Sequence, residues 1–268
     1  MSAKQANLAK DSGLNNKTRP VALVLRGDGI NCEEETVQAL GLAGFEAKRV
    51  TCLDLKDSPK LLSQASALVL PGGFSFGDEV RSGKILAVKL RAYIFDALAA
   101  YADRGGLILG ICNGFQVLVQ LGILPGGQVL NLDSERPLTL AHNSGGKFID
   151  RWVELKVSNG SAFTRGLPET IWLPVRHGEG RLVLREEVAG LEDLVSSLAC
   201  LSYLDDLNGS FQKIAGLTSS TGKVMGLMPH PECFVRASQH PAWTASRNGD
   251  GEVMPGLQIF QNMFAMLQ

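Results

Sequence analysis

The chain has few cysteines, and none is spaced to build a structural framework. Five occur in 268 residues, and no CxxC pair is present. An odd number without a framework spacing is typical of free thiols in a reducing compartment, and it argues against a zinc-binding motif. We therefore expect no metal site. The five cysteines are Cys32, Cys52, Cys112, Cys200 and Cys233.

Long apolar runs and an excess of one charge are also missing. No run approaches the roughly 20 residues that a membrane-spanning helix needs. The 26 basic and 27 acidic residues nearly cancel, which gives no electrostatic reason to expect nucleic acid or a membrane surface as a partner. Residues 1–19 lack the apolar core of a secretory signal and read as a disordered tail, with an organellar address as the alternative. We expect a cytoplasmic location.

Phosphate-binding motifs are absent as well. The stretches GGKF and TGKV lack the upstream glycine or the following hydroxyl residue of a GxxxxGK[ST] loop, and no GxGxxG follows a strand. These loops cradle phosphates with backbone N–H groups. We therefore expect no cofactor in this chain, neither ATP nor a dinucleotide.

Strands alternate with helices over the first half of the chain. The apolar stretches VALVL, ALVL and LILGI are separated by helical patterns, which predicts a mostly parallel sheet covered on both faces. From Trp152 onward, strands follow one another with little helix between them. The last 14 residues carry apolar side chains at helical spacing. The sequence predicts a single three-layer α/β domain over residues 20–268 with a strand-rich insertion.

The stretch GICNGF places Cys112 between Gly110 and Gly114, directly after a predicted strand. Glycines on both sides permit a tight strand-to-helix turn, which would expose the thiol at the carboxyl edge of the sheet. The following helix N-terminus favours a thiolate. A nucleophile needs both properties. The alternative is a small buried core residue, which is the usual role of a free cysteine.

Two histidines are each followed by a glutamate two residues later. Extended backbone would place both side chains of such a pair on the same side, so the carboxylate can orient the imidazole. Prolines flank His230 in MPHPE and restrict its backbone, which favours His230 with Glu232 as the catalytic pair. His177 and Glu179, in the glycine-containing stretch VRHGEGR, then line the pocket.

The stretch PGGFSFGD, residues 71–78, follows the third predicted strand. Its glycines can present backbone N–H groups to a developing oxyanion, together with the N–H of Asn113 after the nucleophile. A plain glycine-rich turn is the alternative. Gly73 and Asn113 are therefore candidates for an oxyanion hole.

Together these stretches resemble the class I (triad) glutamine amidotransferases, which have a flavodoxin-like fold. Five motifs carry the resemblance: LPGGFSFGD, GICNGFQVL, PVRHGEGR, FQKIAGLTS and GLMPHPE. The resemblance implies that Cys112 is the nucleophile of a triad completed by His230 and Glu232. The other site residues that it implies are Gly73 and Asn113 for the oxyanion hole, and Gln116, His177 and Glu179 for the glutamine pocket.

Within this family, the motifs are similar to the branch that serves phosphoribosylformylglycinamidine synthase in purine biosynthesis. The resemblance implies that glutamine is hydrolysed through a cysteine thioester and that ammonia passes to a separate large synthetase subunit, often with a small bridging subunit. That partner would hold ATP and Mg²⁺ and convert formylglycinamide ribonucleotide to formylglycinamidine ribonucleotide. The acceptor rests on resemblance alone.

Other functions stay open on the sequence. An uncoupled cysteine amidohydrolase or the glutaminase subunit of a different ligase would use the same triad. A non-catalytic regulatory subunit is disfavoured because Cys112, His230 and Glu232 are all present. The chain also departs from the family pattern. Cys233 stands where the family usually has arginine after the HPE motif, and the segment before Asn208-Gly209-Ser210 is short.

Overall fold

The computed structural model describes residues 18–129, 135–158, 160–244 and 253–268. The predicted tail therefore lies outside the described residues except for Thr18 and Arg19. The strands are β1 (Val21–Leu25), β2 (Glu46–Val50), β3 (Ala67–Leu70), β4 (Leu107–Ile111), β5 (Leu138–His142), β6 (Ile149–Val157), β7 (Thr170–His177), β8 (Glu179–Leu184), β9 (Ala199–Tyr203), β10 (Ile214–Thr218) and β11 (Val224–Leu227). The helices are α1 (Glu33–Ala43), α2 (Cys52–Asp57), α3 (Lys60–Gln64), α4 (Lys84–Asp103), α5 (Asn113–Leu121), α6 (Leu191–Leu198) and α7 (Pro255–Ala265).

One sheet runs through both halves of the chain. In the described residues it has nine strands, in the order β2-β1-β3-β4-β11-β10-β9-β6-β7. The first five are mutually parallel, whereas each later strand is antiparallel to its neighbour. Strands β5 and β8 form a separate antiparallel pair. The predicted α/β fold is confirmed, and the strand-rich half extends the same sheet.

The central strands are buried on both faces. Every residue of β3, β4 and β11 is buried, as expected for parallel strands covered by helices on both sides. Helix α1 packs with α7, and α4 packs with α2 and α5, which supplies the two outer layers. None of the described helices combines the length and the apolar character that crossing a membrane needs.

Strand β7, at the edge of the sheet, contacts residues at the carboxyl ends of the central strands β4 and β11. The backbone N–H of His230, just after β11, donates to the Pro174 carbonyl of β7 at 2.9 Å. The Cys112 thiol, just after β4, donates to the Arg176 carbonyl of β7 at 3.5 Å. The sheet therefore curves enough for its free edge to contact both the loop after β4 and the loop after β11.

Candidate active site

Cys112 occupies the sharp turn between β4 and α5. Its backbone has φ 51° and ψ −106°, a sparsely populated conformation for a non-glycine residue that is typical of functional turns. The flanking glycine is required by packing, because a Cβ on Gly114 would lie 1.9 Å from the Leu70 carbonyl oxygen. The Cys112 N–H donates to the Leu227 carbonyl at 2.7 Å. Two neighbouring strands thus fix the position of the thiol.

His230 and Glu232 form a buried pair. His230 Nδ1 lies 2.7 Å from Glu232 Oε1, and the two side chains are 3% and 0% exposed. The expected route to this contact was wrong, since Pro231–Cys233 forms a 3-10 turn instead of extended backbone. The tight turn starts with Pro231, whose fixed φ suits the first position of a helical turn. This turn places the Glu232 carboxylate against the imidazole of His230.

His230 also lies next to Cys112. A Cβ placed on Gly72 would be 2.6 Å from His230 Cε1 and 3.4 Å from Cys112 Cβ, so both side chains pack against the same glycine. Burial by itself lowers the pKa of His230, but the Glu232 carboxylate and the Cys112 thiol outweigh it and raise the pKa well above its usual value. His230 Nε2 has no hydrogen-bond partner among the described residues. It is the ring nitrogen left to exchange a proton with the nucleophile.

The glycine loop after β3 lies directly against this pair. Gly73 has φ 144°, which favours glycine, and a Cβ there would lie 2.6 Å from the Gly29 carbonyl oxygen. The preceding Gly72 accepts hydrogen bonds from the backbone N–H groups of Asn31 and Cys32. The sequence motifs pointed to Gly73 as a candidate for the oxyanion hole but not to Gly72, although both belong to the same PGG turn. The contacts of Gly72 explain why no side chain fits there.

Gln116 and Glu179 are brought together, but through the backbone of Glu179. Gln116 Nε2 donates to the Glu179 carbonyl, and Gln116 Oε1 accepts from Asn113 Nδ2 at 3.0 Å. The same amide of Asn113 donates to Asp78 Oδ1 at 3.1 Å. Burial raises the pKa of Asp78 against these hydrogen bonds. This network fixes the first turn of α5 beside Cys112, and Asp78 had not been singled out in the sequence.

His177 is not paired with Glu179. Gly178 separates the end of β7 from the start of β8, and the Glu179 carboxylate lies 3.5 Å from His142 Nδ1 instead. His177 Nδ1 is 3.1 Å from Asn143 Oδ1, and its Nε2 is 3.5 Å from the Tyr203 hydroxyl. Of the two His–Glu spacings in the sequence, only that of His230 and Glu232 produces a contact between the side chains.

The burial of His177 predicts a specific loss of stability in acid. Burial, with a smaller effect of His230, lowers the pKa of His177 from 6.5 to about 4. Between pH 6.5 and about 4, His177 is therefore protonated in the unfolded chain but neutral in the folded protein. The stability of the fold consequently falls as the pH drops through this range. We expect His177→Gln to remove about 2 to 3 kcal/mol of this loss between about pH 7 and about pH 4.5, measured by urea unfolding.

A matched control is His142→Gln, because the His142 side chain is 82% exposed. Because this variant retains His177, it should keep the loss of stability in acid that His177→Gln removes. The raised pKa of His230 has the opposite effect on the dependence of stability on pH. His230 is present in the unaltered protein and in both variants, so its effect cancels in the comparison. An unchanged slope in His177→Gln would contradict a neutral buried His177.

A second thiol, that of Cys32, adjoins the pair of His230 and Glu232. Cys32 Sγ lies 3.8 Å from His230 Nδ1, and in the described part of the chain these three residues are a group whose potential metal ligands lie within 4.8 Å of one another. Two ligands on one tetrahedral zinc ion are about 3.4 Å apart, from bond lengths near 2.1 Å. The 2.7 Å contact between His230 and Glu232 is shorter than that. The arrangement is therefore that of a hydrogen-bonded pair.

Comparisons with known proteins add to this geometry. Residues 19–266 match the model of the CobB/CobQ-like glutamine amidotransferase domain. The phosphoribosylformylglycinamidine synthase subunit PurQ of Dehalococcoides mccartyi is 38% identical over 254 residues, covering 90% of this chain and 94% of the relative. The corresponding subunit of Thermotoga maritima is 40% identical over 219 residues, or 80% and 88% of the two chains.

Solved structures agree with the sequence relatives. The structure of PurLQS from Thermotoga maritima is similar with a TM-score of 0.73 at 35% identity, over 93% of this chain and 100% of that one. The glutaminase domain of Trypanosoma brucei CTPS has a TM-score of 0.56 at 14% identity, over 93% and 94% of the two chains. At that identity the second likeness concerns the fold alone.

Proposed function

The chain belongs to the CobB/CobQ-like glutamine amidotransferase family, and from this premise we propose that it is the glutaminase subunit of phosphoribosylformylglycinamidine synthase. The observation that carries the proposal is the placement of Cys112 at a strained turn beside a buried pair of His230 and Glu232. The PurQ relatives match this chain over most of its length. The protein is thus an amidotransferase that supplies nitrogen from glutamine.

The first half of the reaction makes a thioester. The Cys112 thiolate attacks the side-chain carboxamide carbon of glutamine, and the carbonyl electrons move to the oxygen. Backbone N–H groups of Gly73 and Asn113 hold this oxyanion. The protonated His230 then gives its proton to the departing nitrogen, the carbon–nitrogen bond breaks, and ammonia leaves.

The second half regenerates the thiolate. Neutral His230 takes a proton from water as the water oxygen attacks the thioester carbon. The carbon–sulfur bond breaks, glutamate is released, and the electron pair returns to Cys112 sulfur. Glu232 orients the imidazole and stabilises its protonated form, as the third member of a triad does.

Ammonia released into water is protonated and loses its nucleophilic electron pair, so it has to pass directly to a partner. The Thermotoga maritima structure is named for an assembly, PurLQS. We assign ATP, Mg²⁺ and formylglycinamide ribonucleotide to a large synthetase subunit, with a small bridging subunit in the complex. Location in the cytoplasm stays a prediction.

A reactive glutamine analogue tests the proposed function. The chain is treated with 6-diazo-5-oxo-L-norleucine, alone and with the large synthetase subunit, and the modified peptide is mapped by mass spectrometry. A single adduct on Cys112 is expected. Cys200 serves as the internal control, because burial raises its pKa to about 12 and it should stay unmodified. An adduct elsewhere, or none with the partner present, would contradict the proposal.

A further inference from the structure

Arg176 lies on β7 where that strand passes both catalytic loops. Its backbone carbonyl accepts a hydrogen bond from the Cys112 thiol at 3.5 Å. Its guanidinium Nη2 donates to Cys233 Sγ at 2.7 Å, and Cys233 directly follows Glu232. One residue therefore contacts the nucleophile through its backbone and the turn of the His230–Glu232 pair through its side chain.

The Glu232 carboxylate needs a compensating charge. Its side chain is 0% exposed, and its Oε2 has no hydrogen-bond partner among the described residues. An ionised carboxylate in such surroundings is costly unless it is paired. His230 supplies one contact, at Oε1. The guanidinium of Arg176 contacts the thiol of Cys233, the residue next to Glu232. Burial lowers the pKa of Arg176, but the neighbouring thiols and the Glu232 carboxylate outweigh it and raise that pKa above its usual value.

Among the residues that the structure describes, the other titratable groups that interact with the pair are thiols and a neutral imidazole. They come from the loop before α1, from the turn before α5, from the end of β7 and from the turn after β11. None of them offers a positive charge at neutral pH, because the pKa of His177 is about 4 and a thiol is neutral or negative. These groups are Cys32, Cys112, His177 and Cys233.

We propose that Arg176 is a positioning residue of the glutaminase, whose guanidinium holds the turn of Glu232 through Cys233 and places a positive charge beside that turn, so that Glu232 can orient His230. The inference rests on the proposed function and deepens it. It also accounts for the departure at Cys233. The short thiol leaves room for a guanidinium arriving from β7, and a longer basic side chain at position 233 would place its charge in the same space.

The proposal fixes the direction of a change with pH. A nearby cation opposes proton uptake by the pair of His230 and Glu232. Without it, the pair takes up its inactivating proton at higher pH. The rate of Cys112 modification falls at low pH, and we call this part of the pH profile the acid limb. The acid limb should therefore move to higher pH when the charge at Arg176 is removed. It should return when a cation is restored at position 176 or at position 233.

The experiment measures the rate at which 6-diazo-5-oxo-L-norleucine modifies Cys112 in the reconstituted complex, as a function of pH. In R176Q we expect the acid limb to rise by about one pH unit, so that modification at a given pH on that limb slows by about tenfold. R176K should keep the limb in place. The double variant R176Q/C233R should bring it back. The matched control C233S removes the thiol but not the cation, and its limb should not move.

Two results would overturn the inference in proteins that fold, as judged by circular dichroism. One is an unmoved limb in R176Q, and the other is a limb that stays displaced in R176Q/C233R. If R176Q does not fold, R176K decides, since a displaced limb there overturns the role of charge and an unmoved limb supports it. Failure to modify Cys112 in the unaltered complex would instead overturn the proposed function, and the inference with it.

Discussion

Replacing Cys112 with alanine is expected to abolish glutamine-dependent synthesis by the reconstituted complex while leaving ammonia-dependent synthesis within about twofold. The substitution removes the atom that forms the thioester, so glutamine-dependent turnover should fall by about 10⁴-fold or more. Added ammonia bypasses that step and reaches the acceptor through the synthetase. Steady-state rates with each nitrogen source check the prediction. The small side chain of alanine leaves the turn between β4 and α5 intact.

Cys52→Ala is the matched control for this prediction. Cys52 is also buried, and burial raises the pKa of its thiol to about 11, which makes it a poor nucleophile at neutral pH. Both activities should survive in this variant. Loss of both activities in Cys112→Ala would mean that Cys112 has a structural role. Retained glutamine-dependent activity would mean that another group is the nucleophile.

The parts of the fold that the sequence predicted are those specified by neighbouring residues. The first half could be predicted because strand and helix periods alternate within short windows. Helix α2 also begins at a local signal, since Thr51 and Asp54 form a capping box with a 2.8 Å hydrogen bond from the Thr51 N–H. Strand β9 carries no such signal. It is defined by pairing with β6 and β10, which are distant in the chain.

The same distinction holds in the active site. The turn at Cys112 could be predicted because glycine spacing and the strand-to-helix change lie within a few residues. The contact between Arg176 and Cys233 could not, because the two residues are 57 positions apart and nothing in either stretch points to the other. His177 and His230 look alike in the sequence, each with a glutamate two residues later. Only the local backbone distinguishes them. At His177 the chain passes through Gly178 from one strand into the next, whereas a 3-10 turn follows His230.

That difference predicts that the same substitution affects different kinetic steps at the two histidines. His230→Gln should slow modification of Cys112 and thioester formation by about 10³- to 10⁴-fold, because glutamine can still hydrogen-bond Glu232 but cannot carry the proton. His177→Gln should act mainly on the KM for glutamine, by about tenfold or less. His177 is held by Asn143 and Tyr203 and is neutral at pH 7. Pre-steady-state release of ammonia separates the two effects.

Glutamine was chosen at both positions because it preserves a hydrogen-bonding side chain where alanine would leave partners unpaired. At His230 the partner is a carboxylate with 0% exposure, and an unpaired buried charge could unfold the loop by itself. With that contact kept, a collapse of thioester formation in His230→Gln alone identifies the proton carrier. A collapse in His177→Gln with a modest effect in His230→Gln would make His177 the base. In that case the contact of Glu232 with His230 would be structural and not catalytic.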